Sequence, residues 1–418
     1  MRPGRQLLTG LAVGALLGGA LPVVTGSAAY AAQAPIACRE IATADDLDRQ
    51  PEDSSVTYPD PYAEMDVARA SALVKGLPGA GVTVAVIDSG IDGRGLAAPV
   101  EKPDFSGRQL PAKYYHGTTV AGLIAGKRSS GSPGGIAPGV RLVDLPVTAP
   151  PTEAHPEGTV LRASVVGALR FLNAHLGSYP HLIVNMSLEF PDDSPDLRHE
   201  VERLVKRGAV VVASAGNRQA DSETGAEASP TPYTGDEDAG DHVYPAAYPG
   251  VVAVGSVVTE GTPGDATGYV LANSRTDLVA PPYGARSVTL AGRPCVVDEV
   301  TTSWSTAEVT GVLALVASAD LHDTGPQVVD RVTRTASGRP DVPGPFTGAG
   351  VVQAYDAITR PLDADEPTAD GRVPAAQVAP PERDTLESTR HSAVWWGLLG
   401  GGALVLGLVL RPLLSRRR

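Results

Sequence analysis

Aromatic residues are scarce in this chain. Four phenylalanines and three tryptophans among 418 residues leave a core that valine, alanine and leucine must build. Positive charge is also short: 34 lysines and arginines against 47 aspartates and glutamates give a net charge of −13. No basic block is large enough to follow a phosphate backbone, so nucleic acid is not expected as a partner. No group of carboxylates has the spacing of an ion-binding loop, so neither a catalytic metal nor a cofactor is expected. There are no internal repeats. What the chain does have is 42% hydrophobic residues, enough for a sizeable core, with 47 glycines and 37 prolines that point to a loop-rich globule.

Both ends read as targeting segments. Arg2 and Arg5 precede an apolar run from Leu7 to Val24, and Ala29-Tyr30-Ala31 supplies small residues before a cut at Ala31/Ala32. This is the pattern of an export signal over residues 1–31. At the other end, an apolar run from Ala393 to Leu410 opens on Trp395 and Trp396 and is followed by Arg411 and Arg416 to Arg418. As a helix it would measure roughly 27 Å, close to the hydrocarbon thickness. The arginines predict a transmembrane helix over 392–411 and a cytoplasmic tail over 412–418. Residues 359–391 are rich in proline and acidic residues, with little to bury, and read as a linker. The bulk of the chain is therefore expected outside the cell membrane on a single C-terminal anchor. In an exported chain the two cysteines, Cys38 and Cys295, are expected to form a disulfide, against two free thiols or a bond to another chain.

Between the ends, apolar strands alternate with amphipathic helices. Val82–Asp88, Arg141–Val147, Leu182–Leu188 and Ala209–Ala213 read as buried strands. Val251–Gly255 and Thr276–Pro281 add two short apolar segments, and helices are expected over Tyr62–Leu77, from His116, over Leu161–Leu176, around Val201–Val205 and after Ser303. The alternation predicts an α/β fold, a doubly wound and mainly parallel sheet with helices on both faces. Three chemistry-bearing residues fall at element edges: Asp88 ends a strand, His116 opens a helix and Ser303 opens another. An imidazole at the rim of a buried helix, held at one nitrogen and open at the other, is placed to move a proton.

The order Asp, His, Ser is that of the subtilisin group of serine proteases. The surrounding residues resemble subtilase blocks: Val84–Gly90, His116-Gly117-Thr118, Asn185–Leu188, Ala215-Gly216-Asn217, and Thr302-Ser303 with the helix after it. The chain is identified as similar to subtilases from Gly81 to Ala357. The resemblance implies that Ser303 is the nucleophile, His116 its base and Asp88 the group that orients the imidazole. It also implies that Asn217 serves the oxyanion hole, and that Ser187, Leu188, Ser214, Ala215 and Gly216 wall the site for a polypeptide substrate. A short cysteine-bearing extension (32–80), the protease domain (81–358), a linker and a membrane helix together resemble the mycosins, proteases of type VII secretion systems.

The chain departs from the family pattern near the site. Thr301 stands where glycine is usual, and a positive φ there would strain a β-branched residue. Trp304 follows the nucleophile where a smaller apolar residue is common, and Glu189 replaces a glycine that lines the cleft. These departures motivate a competing expectation, a catalytically weak subtilase serving as a structural component of a membrane secretion complex.

Overall fold

The central strand, β1 (Thr83–Asp88), is buried along its whole length. Its side chains alternate between two cores: Val84 and Val86 join one apolar cluster, Ala85 and Ile87 the other. A strand with two buried faces needs helices on both sides and a ladder on both edges. It receives them. The computed structural model describes residues 36–48, 57–105, 112, 114–129, 132–149, 152, 158–218 and 234–361. The expected leader, residues 362–391 of the expected linker, and the expected anchor and basic tail lie outside these residues, and among the described residues no helix is long and apolar enough to cross a membrane.

The remaining elements, in chain order, begin with two short helices, α1 (Pro61–Glu64) and α2 (Val67–Ser71), ahead of β1. After β1 come β2 (Val100–Glu101), α3 (His116–Ala125), β3 (Arg141–Pro146), α4 (Arg162–His175) and β4 (Leu182–Met186). Then follow α5 (Pro195–Lys206), β5 (Val210–Ser214), β6 (Val251–Ser256), β7 (Leu278–Ala280), and the hairpin β8 (Arg286–Val288) with β9 (Pro294–Val296). The last three are α6 (Thr302–Ala319), α7 (Gly325–Arg334) and α8 (Ala354–Thr359). Seven strands form one sheet in the order β2-β3-β1-β4-β5-β6-β7, with every neighbouring pair parallel. Residues of α3, α6, α7 and α8 pack in one cluster and those of α4 and α5 in the other, so the doubly wound α/β expectation is met.

Two expectations are revised. The helix read over Tyr62–Leu77 is two short helices, because Asp66 takes a left-handed backbone (φ 55°) between them. The β8–β9 hairpin was not expected, since three residues a side are too few to show a period. That hairpin carries Cys295, which is bonded to Cys38 with the Cα atoms 5.0 Å apart, as expected. Ala37 makes a parallel bridge to Val296, and Arg39 pairs with Asp298 at 2.9 Å. The N-terminal extension is thereby fastened to the segment just ahead of α6.

Candidate active site

The chain leaves β1 toward β3 on one side of the sheet and later builds β4 on the other side. The crevice beyond the carboxyl ends of such strands is where open α/β sheets bind ligands. Asp88, the last residue of β1, and Ser187, the first after β4, both stand there.

His116 opens α3, and its Nδ1 lies 2.8 Å and 3.0 Å from the two carboxylate oxygens of Asp88. Gly117 makes this approach possible: a Cβ at that position would meet the Gly90 carbonyl oxygen at 2.6 Å and Asp88 Oδ1 at 3.1 Å. The Ser89 hydroxyl accepts from the Gly117 N–H at 3.0 Å and donates to the Tyr114 carbonyl at 3.3 Å, tying the strand end to the helix start. Burial alone would lower the imidazole's pKa. The charge and hydrogen bond of Asp88, joined by the charge of Glu299, outweigh it and raise the pKa above the usual histidine value. Trp304 lies along the ring, with centroids 4.6 Å apart and planes at 35°, and Tyr115 packs on Trp304 at 5.9 Å. Trp304 stood out in the sequence only as an unusual neighbour of Ser303; that it braces the imidazole follows from the packing of α3 on α6.

Ser303 lies in the first turn of α6, where unpaired backbone N–H groups favour negative charge. Ser187 and Ser303 are latched to each other: the Ser187 hydroxyl donates to the Ser303 carbonyl at 2.8 Å, and Ser303 Oγ donates to the Ser187 carbonyl at 3.4 Å. No hydrogen bond joins Ser303 Oγ to His116. The strain expected at Thr301 is absent, because its φ of −137° and ψ of 150° are ordinary extended values. Thr301 makes no side-chain cap to α6. Asn217 caps it from another element: its Oδ1 accepts from the Thr302 N–H at 2.7 Å and the Thr302 hydroxyl at 3.1 Å.

A cleft of about 410 Å³ connects these groups, lined by Asp88, His116, Ser187, Leu188, Glu189 and Ser303 among others. Ser214, Ala215 and Gly216, expected to wall the site, are not among the residues that line it: Ser214 and Ala215 are buried, the Ser214 hydroxyl 3.3 Å from that of Thr306 and the Ala215 carbonyl accepting from Asn273 at 2.7 Å. Gly216 has a φ of +113°, and its carbonyl accepts from the Leu271 N–H at 3.2 Å. Glu189 is partly exposed as a residue, yet its Oε2 is closed off from solvent without a hydrogen-bond partner. Burial pushes this carboxyl up to about 7, opposed by the Asn217 backbone N–H. Among the described residues no group of histidine, cysteine and acidic side chains is arranged to hold a metal ion.

A family model described as the subtilase family matches residues 79–351. The chain belongs to the subtilase family. This is a family of serine proteases, and its members among the relatives differ in setting. Mycosin-1 of Mycobacterium tuberculosis is 30% identical over 377 residues, covering 81% of this chain and 82% of its own length. Subtilisin E of Bacillus subtilis is 29% identical over 286 residues, 66% of each chain. Among solved structures, that of MycP1 from the ESX-1 type VII secretion system is 26% identical with a TM-score of 0.54, covering 74% of this subtilase and 88% of that chain.

Proposed function

We propose that this subtilase is an extracytoplasmic, membrane-anchored serine endopeptidase that works beside a type VII secretion complex. The observation that carries the catalytic reading is the carboxylate–imidazole contact of 2.8 Å between Asp88 and His116, in one cleft with a serine at a helix N-terminus. An alcohol is a poor nucleophile until a base takes its proton. Rotation about the Ser303 Cα–Cβ bond exchanges its long contact to the Ser187 carbonyl for His116 Nε2. Ser303 Oγ then attacks the peptide carbonyl while its proton passes to His116, and Asp88 stabilises the imidazolium. The oxyanion faces the Ser303 backbone N–H and the Asn217 amide, whose Oδ1 is committed to Thr302 and whose N–H groups are left for the cleft. Collapse expels the amine with the proton from His116, and water later releases the acyl group by the same steps reversed. The leader and the apolar C-terminal run support the location; the mycosin relatives support the secretion system as neighbour.

The test is a fluorophosphonate probe on the full chain in detergent or vesicles. Labelling that is lost in Ser303→Ala is expected. A second reading, a scaffold that cuts little, draws on the Ser303 hydroxyl being bonded to Ser187 instead of His116. Absence of labelling in protein shown to be folded would adopt the scaffold reading and end the first.

A further inference from the structure

The indole of Trp304 carries a polar group that its surroundings do not use. The residue is 2% exposed, and its Nε1 is closed off from solvent with no hydrogen-bond partner among the described residues. A buried N–H without an acceptor destabilises the fold, and phenylalanine or methionine would fill core space without that loss. What the indole offers beyond them is a π face that attracts cations more strongly than that of any other side chain. That face is turned to the ring of His116, with centroids 4.6 Å apart and planes at 35°, inside the range over which a cation is held.

The other groups around the imidazole come from three places. Asp88, at the end of β1, holds Nδ1 at 2.8 Å. Glu299, ahead of α6, adds a second negative charge that favours the protonated ring, and its Oε2 accepts from the Tyr115 hydroxyl at 3.3 Å. Tyr115 stands edge-on to His116 at 6.5 Å and packs on Trp304 at 5.9 Å, which keeps the indole against the imidazole. We propose that the face of Trp304 stabilises the protonated form of His116, making Trp304 a positioning residue that favours charge on the base. On the protease reading above, on which this rests, the Ser303 proton passes to His116 as Oγ bonds to the peptide carbonyl. The imidazolium so formed lies against the indole, and the cation–π attraction is larger there than for the neutral ring.

The test uses the full chain in detergent, carrying Ser303→Ala so that no turnover is needed. Trp395→Phe and Trp396→Phe leave Trp304 as the one tryptophan. Tryptophan bearing one, two or three fluorines keeps nearly the same shape and drains charge from the face stepwise. The His116 pKa is read by NMR on carbon-13 histidine, its signal identified by its loss in His116→Gln. It is expected to fall with each fluorine, by about half a unit or more across the series. A pKa that stays constant or rises would overturn the proposal and leave Trp304 to packing alone. With Ser303 restored, the acidic limb of kcat/KM should move to lower pH by the same shift. A chain that takes no fluorophosphonate but shows the stepwise fall retains the cation–π contact and loses the protease reading. One that labels and shows no fall loses the contact alone.

Discussion

Asn217 and His116 each serve more than one contact, and those contacts separate by substitution. The Asn217 side chain caps α6 through Oδ1, and in the proposed mechanism its N–H groups serve the developing oxyanion. Replacement by aspartate retains the acceptor and removes the donor. Asn217→Asp is therefore expected to melt near the wild-type temperature while kcat falls by about 10²–10³, a range the subtilisin asparagine itself supplied. A fall in melting temperature matching the fall in rate would assign Asn217 to the helix alone. In the proposed mechanism His116 is the neutral base, so kcat/KM should fall as pH drops through its pKa, which Asp88 and Glu299 hold above the ordinary histidine value near 6.5. Glu299→Gln removes one of the charges that raise it and is expected to move the acidic limb toward lower pH; a pH–rate profile that does not move denies Glu299 that influence. The residue types at the site were legible from order and neighbours, since Asp88 ends a strand and His116 and Ser303 stand at helix starts, in a fixed order along the chain. The roles of Trp304 and Glu299 were not. They reach His116 through the stacking of α3 against α6 and through the turn before Thr301, contacts that no local period encodes.

Helix α6 carries an acid in the middle of its buried face. Glu308 is fully buried, and neither carboxylate oxygen has a hydrogen-bond partner. Burial first, and the nearby charge of Glu64 second, raise its pKa well above the usual glutamate value. The folded chain therefore keeps this proton at pH values where the unfolded chain has released it. Stability from this group is complete below about pH 4.5 and declines as pH rises toward the folded-state pKa. Asp144 and Asp277, both pushed up by burial to about 6, act in the same sense over a lower window. Glu308→Met replaces the acid by an unbranched apolar side chain of similar reach. Urea unfolding at pH 5 and pH 8 should show a smaller loss between the two for Glu308→Met, with a gain at pH 8 of about 1–3 kcal/mol. An unchanged slope would mean that the carboxyl finds a partner. At this scale the sequence was most readable where strands are apolar on both faces, as β1, β4 and β5 are. It misled over Tyr62–Leu77, where apolar spacing fitted one helix but the backbone turns left-handed at Asp66.

Across the whole molecule, the N-terminal extension is held to the segment ahead of α6 by a disulfide, a backbone bridge and an ion pair. The disulfide spans 257 positions, and the chain-entropy account assigns such a closure about 5 kcal/mol as an upper bound. Reduction of the purified chain, or the pair Cys38→Ser and Cys295→Ser, is expected to lower the melting temperature by several degrees. Retention of the wild-type melting temperature after complete reduction would show that the bridge and ion pair suffice. The pairing was legible because only two cysteines exist in a chain whose N-terminal stretch reads as an export signal. The hairpin that presents Cys295 was not, since its strands are too short for alternation to register.

The bond between Cys38 and Cys295 makes the intervening polypeptide a closed ring. A single scission anywhere on that ring, by the protein itself or by another protease, opens the ring without producing two molecules. Such a nicked form would keep the mass of the intact chain, plus one water, until thiols are added, and only then run as two bands on a gel.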